Sequence, residues 1–280
     1  MTAASPALPL PRPAVRRPAL RRSVATLARR RLALTAHTPR ELVVPLVTPV
    51  LFALVIAPAL KTALHTSAAY ESYVAIGTVG LLVPLNAMFL GIGSIVDRIS
   101  GAQRELLAAP IPRGLPVLGN VPVALLTTVL QVGTLIGVAS ARRIHFHPQG
   151  AGVLWFGAAV LLLTVGFTGI AETLASRVPR QEEYIARLPA IAIAPWFLAG
   201  SLFPIAAMPV GLTWVARFLP LTHALALMRY GLLNDSTGLH AIWHMHSTTG
   251  SALLSLAVLA VFAALLLRVA VRAFTRAATA

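Results

Sequence analysis

Ionisable side chains are scarce in this chain, and their densest run is Asp97-Arg98-Ile99-Ser100-Gly101-Ala102-Gln103-Arg104-Glu105-Leu106-Leu107-Ala108-Ala109-Pro110-Ile111-Pro112-Arg113. Ser100 and Gln103 have the S-x-x-Q spacing of a capping box, and Pro110 must stop any helix that follows. The spacing predicts a two-turn helix over residues 101–109. Leu106 and Leu107 give it an apolar edge toward membrane or partner, while Arg104 and Glu105 face outward. A short helix of mixed charge with an apolar edge suits docking into a groove on another protein. A plain interfacial loop is the alternative.

Other chemistry finds little support. The absence of cysteine excludes disulfides, thiolate metal sites and Cys nucleophiles. No G-x-x-x-x-G-K-[ST] phosphate loop and no H-E-x-x-H occurs, so any ATP must be bound by another polypeptide. His240, His244 and His246 lie close together, as do His145 and His147, but only Asp235 is near enough to support a metal. They read as interfacial histidines, with no metal site expected. Asp97 and Asp235 fall on opposite sides of the membrane, which removes a magnesium-pyrophosphate prenyltransferase. Glu172 could relay protons, as intramembrane carboxylates often do. Its place at a helix end beside Arg177 favours a paired structural role.

The elements that carry these residues follow from composition. Hydrophobic residues make up 57% of the 280 residues, charged ones only 11%, and mean hydropathy is +0.80. A soluble domain carries roughly a quarter charged residues. Six runs free of Asp, Glu, Lys and Arg are long enough to cross a ~30 Å hydrocarbon core. They place spans at about residues 39–60, 72–96, 115–140, 150–173, 185–206 and 249–269. With the N-terminus inside, eighteen of the 23 basic residues fall on the inner side, and five (Lys61, Arg142, Arg143, Arg217 and Arg229) stay outside. That bias puts both termini in the cytoplasm. The net charge of +15 is therefore topological, and no nucleic-acid partner is expected.

Before the first span, five prolines in residues 1–19 predict a disordered tail. Residues 20–37 set Leu20, Val24, Leu27 and Leu34 at near-helical spacing among arginines, as in an interface helix on anionic lipid. Thr38-Pro39-Arg40-Glu41 then has the form of a helix start. Gly133-x-x-x-Gly137 and Gly166-x-x-Gly169 permit close helix packing.

The 97–113 segment resembles the signature of type-2 ATP-binding-cassette (ABC) transport permeases, especially the daunorubicin and multidrug-resistance exporter branch. The residues that carry the likeness are Asp97, Arg98, Gly101, Arg104-Glu105-Leu106-Leu107, Ala109-Pro110, Arg113 and Leu118-Gly119. A second likeness joins Leu202-Phe203-Pro204, Met208-Pro209, Phe218-Leu219-Pro220-Leu221-Thr222-His223-Ala224 and Arg229. Its proline breaks are tolerated at membrane depth only where protein or water satisfies the freed backbone. Together with the six-span order, the two likenesses cover residues ~38–275.

The resemblance implies an all-α inner-membrane protein with six transmembrane helices and an N-terminal interface helix. It implies a cytoplasmic helix between spans 2 and 3 that couples to an ATPase, through Asp97, Arg98, Gly101, Arg104, Glu105, Leu106, Leu107, Pro110 and Arg113. Re-entrant helices between spans 5 and 6 would form an extracellular gate with Phe203, Pro204, Pro209, Pro220, His223 and Arg229. ATP and Mg would sit on a separate ABC ATP-binding subunit. The working unit would pair two permeases, as a homodimer or with a second permease, and export a small lipophilic drug or antibiotic. Export of polysaccharide or lipid, or ATP-independent secondary transport, are the alternatives. No enzymatic activity is expected of this chain.

Overall fold

The computed structural model describes residues 20–37, 46–63, 65, 68–109 and 111–277. The expected tail over residues 1–19, the Thr38–Glu41 helix start and Pro110 lie outside them. Every regular element among the described residues is helical. They are α1 (Leu20–His37), α2 (Leu46–Ala63), α3 (Ala68–Ile99), α4 (Ala102–Ala108), α5 (Leu115–Ala141) and α6 (Gly152–Arg177). Then come α7 (residues 181–198), α8 (Val210–Phe218), α9 (Pro220–Leu233), α10 (Thr237–Trp243) and α11 (Thr248–Ala277).

The helices α2, α3, α5, α6 and α11 are long and apolar enough to cross a membrane. At 1.5 Å per residue α3 is about 48 Å long, against an apolar layer of ~30 Å. Its last turn therefore carries Asp97 and Arg98 clear of the hydrocarbon. α6 is the hub, packed on α11, α3 and α9. Glycines let it approach: a side chain at Gly166 would strike the Phe262 ring, and one at Gly169 the backbone of Leu266. At its start, Gly152 faces Gly231 of α9 backbone to backbone.

Two expectations need correction here. The fifth span, expected over residues 185–206, is instead a run over 181–198 with a π-helical stretch at Pro189–Ile193. Gly200, with φ of 77°, turns the chain at its end. The Tyr184 hydroxyl donates to the Met88 carbonyl at 2.7 Å, and the Trp196 indole to the Gly77 carbonyl at 2.7 Å. α7 thus runs antiparallel along α3 from the α4 end to the opposite face. α8 and α9 meet at 83°. Leu225 of α9 lies against Gly80, and Gly231 against Gly152. The bent pair therefore packs in the half of the bundle away from α4, while α7, despite its break, runs between the two faces.

The second correction concerns Gly133 and Gly137. Both are exposed, and a side chain at either would meet no atom within 4 Å. The close packing expected of that spacing does not occur among the described residues, whereas that of Gly166 and Gly169 does.

Candidate functional site

Asp97 and Arg98 close α3 and hold other elements to it. The Asp97 carboxylate pairs with Arg31 at 3.2 Å and Arg30 at 3.5 Å, both on α1. Arg31 also donates to the Leu90 carbonyl at 3.3 Å, passing over Gly93, where any side chain would collide with its guanidinium. One turn back on α1, Leu27 packs over Gly119 of α5. Arg98 donates both terminal nitrogens to the Ala175 and Val178 carbonyls. These acceptors belong to the unpaired last turn of α6, where a cation also meets the negative helix end.

The capping box does not form. Gly101, with φ of 85°, stands at the N-cap of α4 and supplies no side-chain cap. Ser100 still belongs to α3: its amide donates to the Val96 carbonyl and its hydroxyl to the Asp97 carbonyl. The sharp reversal needs a left-handed residue, which glycine adopts at no steric cost. α4 is a two-turn helix that turns Leu107 inward onto Val117, Ala270 and Phe274. Leu106 lines a small cavity with Asp97 and Glu172. Both leucines are half-buried, each with one side toward the chain's own bundle. Arg104, Glu105 and Arg113 are exposed, and no ion pair engages them among the described residues.

Glu172 departs from expectation. It is 2% exposed and does not pair with Arg177. Its carboxylate accepts the Asn120 amide at 2.8 Å and the Ser94 hydroxyl at 2.9 Å, joining α6 to α5 and α3. Asn86 makes a second buried polar contact, donating to Thr127 and Thr128 at 2.9 Å. Neither Ser94, Asn120 nor Asn86 stood out in the sequence, since single polar residues in an apolar run carry no spacing signal.

On the opposite face, Arg229 was expected as an outer loop charge but is buried within α9. Its Nη2 donates to the Gly200 carbonyl at 2.9 Å and the Ser201 carbonyl at 3.0 Å. The guanidinium lies 3.4 Å from the Tyr73 ring centroid, a cation–π contact, and the Tyr73 hydroxyl donates to Gly200 at 3.0 Å. Two ionisable side chains, Glu172 and Arg229, are thus buried inside the bundle.

His223 donates from Nε2 to the Arg217 carbonyl at 2.9 Å, which leaves Nδ1 to accept from Ser255 at 3.2 Å. The Trp243 indole donates to the same Ser255 oxygen, so α8, α9, α10 and α11 are tied at one point. Pro220 is the first residue of α9, Pro204 and Pro209 flank the short 3-10 turn Ile205–Ala207, and Phe203 is exposed. The outer histidines serve the chain itself: His240 contacts the Met245 carbonyl and Thr248, and His244 accepts from Arg217. Among the described residues no cluster of three metal-ligating side chains occurs.

An α-helical bundle with five long apolar helices, an anchored two-turn helix at one face and a bent apolar pair at the other has the architecture of a multi-pass membrane protein. The family model described as ABC-2 type transporter matches residues 22–233, and the chain belongs to that family. Nodulation protein J of Rhizobium leguminosarum bv. viciae is 25% identical over 173 residues, 59% of this chain and 64% of that protein. A protein named as transport permease ycf38, from Porphyra purpurea, is 26% identical over 162 residues, 58% of this chain and 55% of its own length. In both cases the match spans less than two thirds of the relative. Permeases of this family normally work with an ABC ATP-binding subunit.

Proposed function

We propose that this chain is the membrane subunit of an ATP-driven exporter for an amphipathic or lipophilic compound, such as a drug or antibiotic, with α4 as the coupling helix. Both termini and α4 lie on the cytoplasmic side, and two copies of the chain work with two ATPase subunits. The observation that carries the reading is the split use of α4. Leu107, Asp97 and Arg98 fasten α4 and its approach to α11, α5, α1 and α6, while the side chains of Arg104 and Glu105 remain exposed without a hydrogen bond or ion pair among the described residues. A push on the exposed face reaches four membrane elements through packed contacts. Nucleotide binding that closes the ATPase pair would thus move the bundle, and α8–α9 would open or seal its outer end.

The test is co-expression with a candidate ABC ATPase and an efflux assay on Glu105→Ala and Gly101→Pro. Both variants should reach the membrane and lose transport, with ATP hydrolysis no longer stimulated by the permease. Unchanged efflux in both removes α4 from coupling. Buried Glu172 favours one second reading, proton-coupled secondary transport. Efflux that collapses with a protonophore and persists without any ATPase selects that reading instead.

A further inference from the structure

Between α3, the turn after α7, α9 and α10 lies a cavity of about 90 Å³. Its polar lining comes from Tyr73, Thr222, Arg229, Asp235 and Thr237, and Ile205 and Ile242 supply apolar walls. Arg229 is 5% exposed and Thr222 is 3% exposed. The Nε–H of Arg229 and the hydroxyl of Thr222 find no hydrogen-bond partner among the described residues. Arg229 also lacks an ion pair there: Asp235 interacts with it electrostatically but lies beyond 4.0 Å. The Asp235 Oδ1 is taken by the amide and hydroxyl of Thr237, at 2.9 and 2.6 Å, while Oδ2 accepts nothing from the described residues.

Buried donors are normally satisfied, and two idle ones on residues that line a single cavity call for an acceptor beside them. The charges narrow its chemistry. An anion drawn to Arg229 meets the Asp235 carboxylate, and a cation drawn to Asp235 meets the guanidinium. A hydroxyl escapes both conflicts because it donates and accepts at once. One hydroxyl accepts from Arg229 Nε–H and Thr222, and its neighbour donates to Asp235 Oδ2. With ~30 Å³ per water as the measure, the space takes about three water-sized groups, enough for the two hydroxyls of a vicinal diol and part of the carbon edge that bears them.

We infer that this cavity binds the vicinal-diol head of an amphiphile, held by Arg229, Thr222 and Asp235. The head belongs either to the exported compound, which rests on the exporter reading, or to a glycerol-headed lipid of the outer leaflet.

The experiment uses the full chain in phosphatidylcholine nanodiscs and follows thermal unfolding with three probes of equal tail: 1-O-octylglycerol, octyl phosphate and octylamine. Octylglycerol at about ten times its dissociation constant should raise the midpoint by ~2–5 °C, and the other two should not. Thr222→Val, which keeps the shape and removes only the hydroxyl, should reduce octylglycerol affinity at least about tenfold, as should Asp235→Asn. If the octylglycerol shift vanishes in discs containing phosphatidylglycerol, the lipid already fills the site. If it persists there, the site is free for cargo. Stabilisation by octyl phosphate or octylamine to the same extent, a wild-type response in Thr222→Val, or no shift with any probe overturns the inference, the last leaving only ordered water. Loss of ATP-dependent export with octylglycerol binding intact would count against the exporter reading alone.

Discussion

Glu172 ties three spans together through two neutral donors, so its worth lies in what is left when it goes. Glu172→Leu removes the acceptor shared by the Asn120 amide and the Ser94 hydroxyl, which keep only their 3.1 Å bond to each other, at ~1–3 kcal/mol for the donor left short. The melting midpoint of the purified protein should fall by several degrees, whereas Arg177→Ala, at an exposed residue with no ion pair among the described residues, should leave it unchanged. Equal effects of the two substitutions would mean that the carboxylate is anchored elsewhere. Asp97 differs in kind. Its two ion pairs are partly solvated, with Asp97 itself 21% exposed, and such pairs are worth only ~0–1 kcal/mol. Asp97→Asn should therefore barely change global stability yet loosen α1, read as faster amide hydrogen exchange across residues 20–37.

At the scale of elements, the glycine pairs on α5 and α6 look alike in sequence and differ in consequence. Gly169 meets the Leu266 backbone, which cannot move aside as a flexible side chain can. Gly169→Leu forces α6 and α11 apart and should destabilise the bundle by ~1–3 kcal/mol or more. Gly133→Leu and Gly137→Leu project into open space and should leave thermal unfolding within about 0.5 kcal/mol of the parent. α4 makes a related point. Its start depends on Gly101 in the left-handed region, where any other residue costs ~1–2 kcal/mol, so the helix is set at its angle by backbone conformation and not by a side-chain cap.

For the whole molecule, the contacts sort the loops onto two faces. The ends of α3, α6 and α11 gather near α4, and the starts of α3, α6 and α11 gather near α9 and α10. The absence of native cysteine makes the sides testable without background. A cysteine at exposed Ala108 should resist an impermeant maleimide added to intact cells, and one at exposed Gln149 should react. Labelling of the first and protection of the second would invert the assignment and detach α4 from any cytoplasmic ATPase.

Membrane residence and most helix positions were legible in the sequence because they rest on local quantities: the length of apolar runs and the charges between them. The segment after α3 stood out for the same reason, as a cluster of charge ended by proline. The break in α7 was hidden, since residues 199–206 continue the apolar run and only Gly200 marks the turn. Tertiary structure alone decided which face each span turns inward. A helix apolar on every side carries no amphipathic stripe to record its rotation. Hence the partners of Glu172, 78 and 52 residues away in Ser94 and Asn120, could not be read from spacing. Nor could the burial of Arg229 against Tyr73, because whether an arginine near a span end snorkels outward or folds inward depends on the cavity that its neighbours leave.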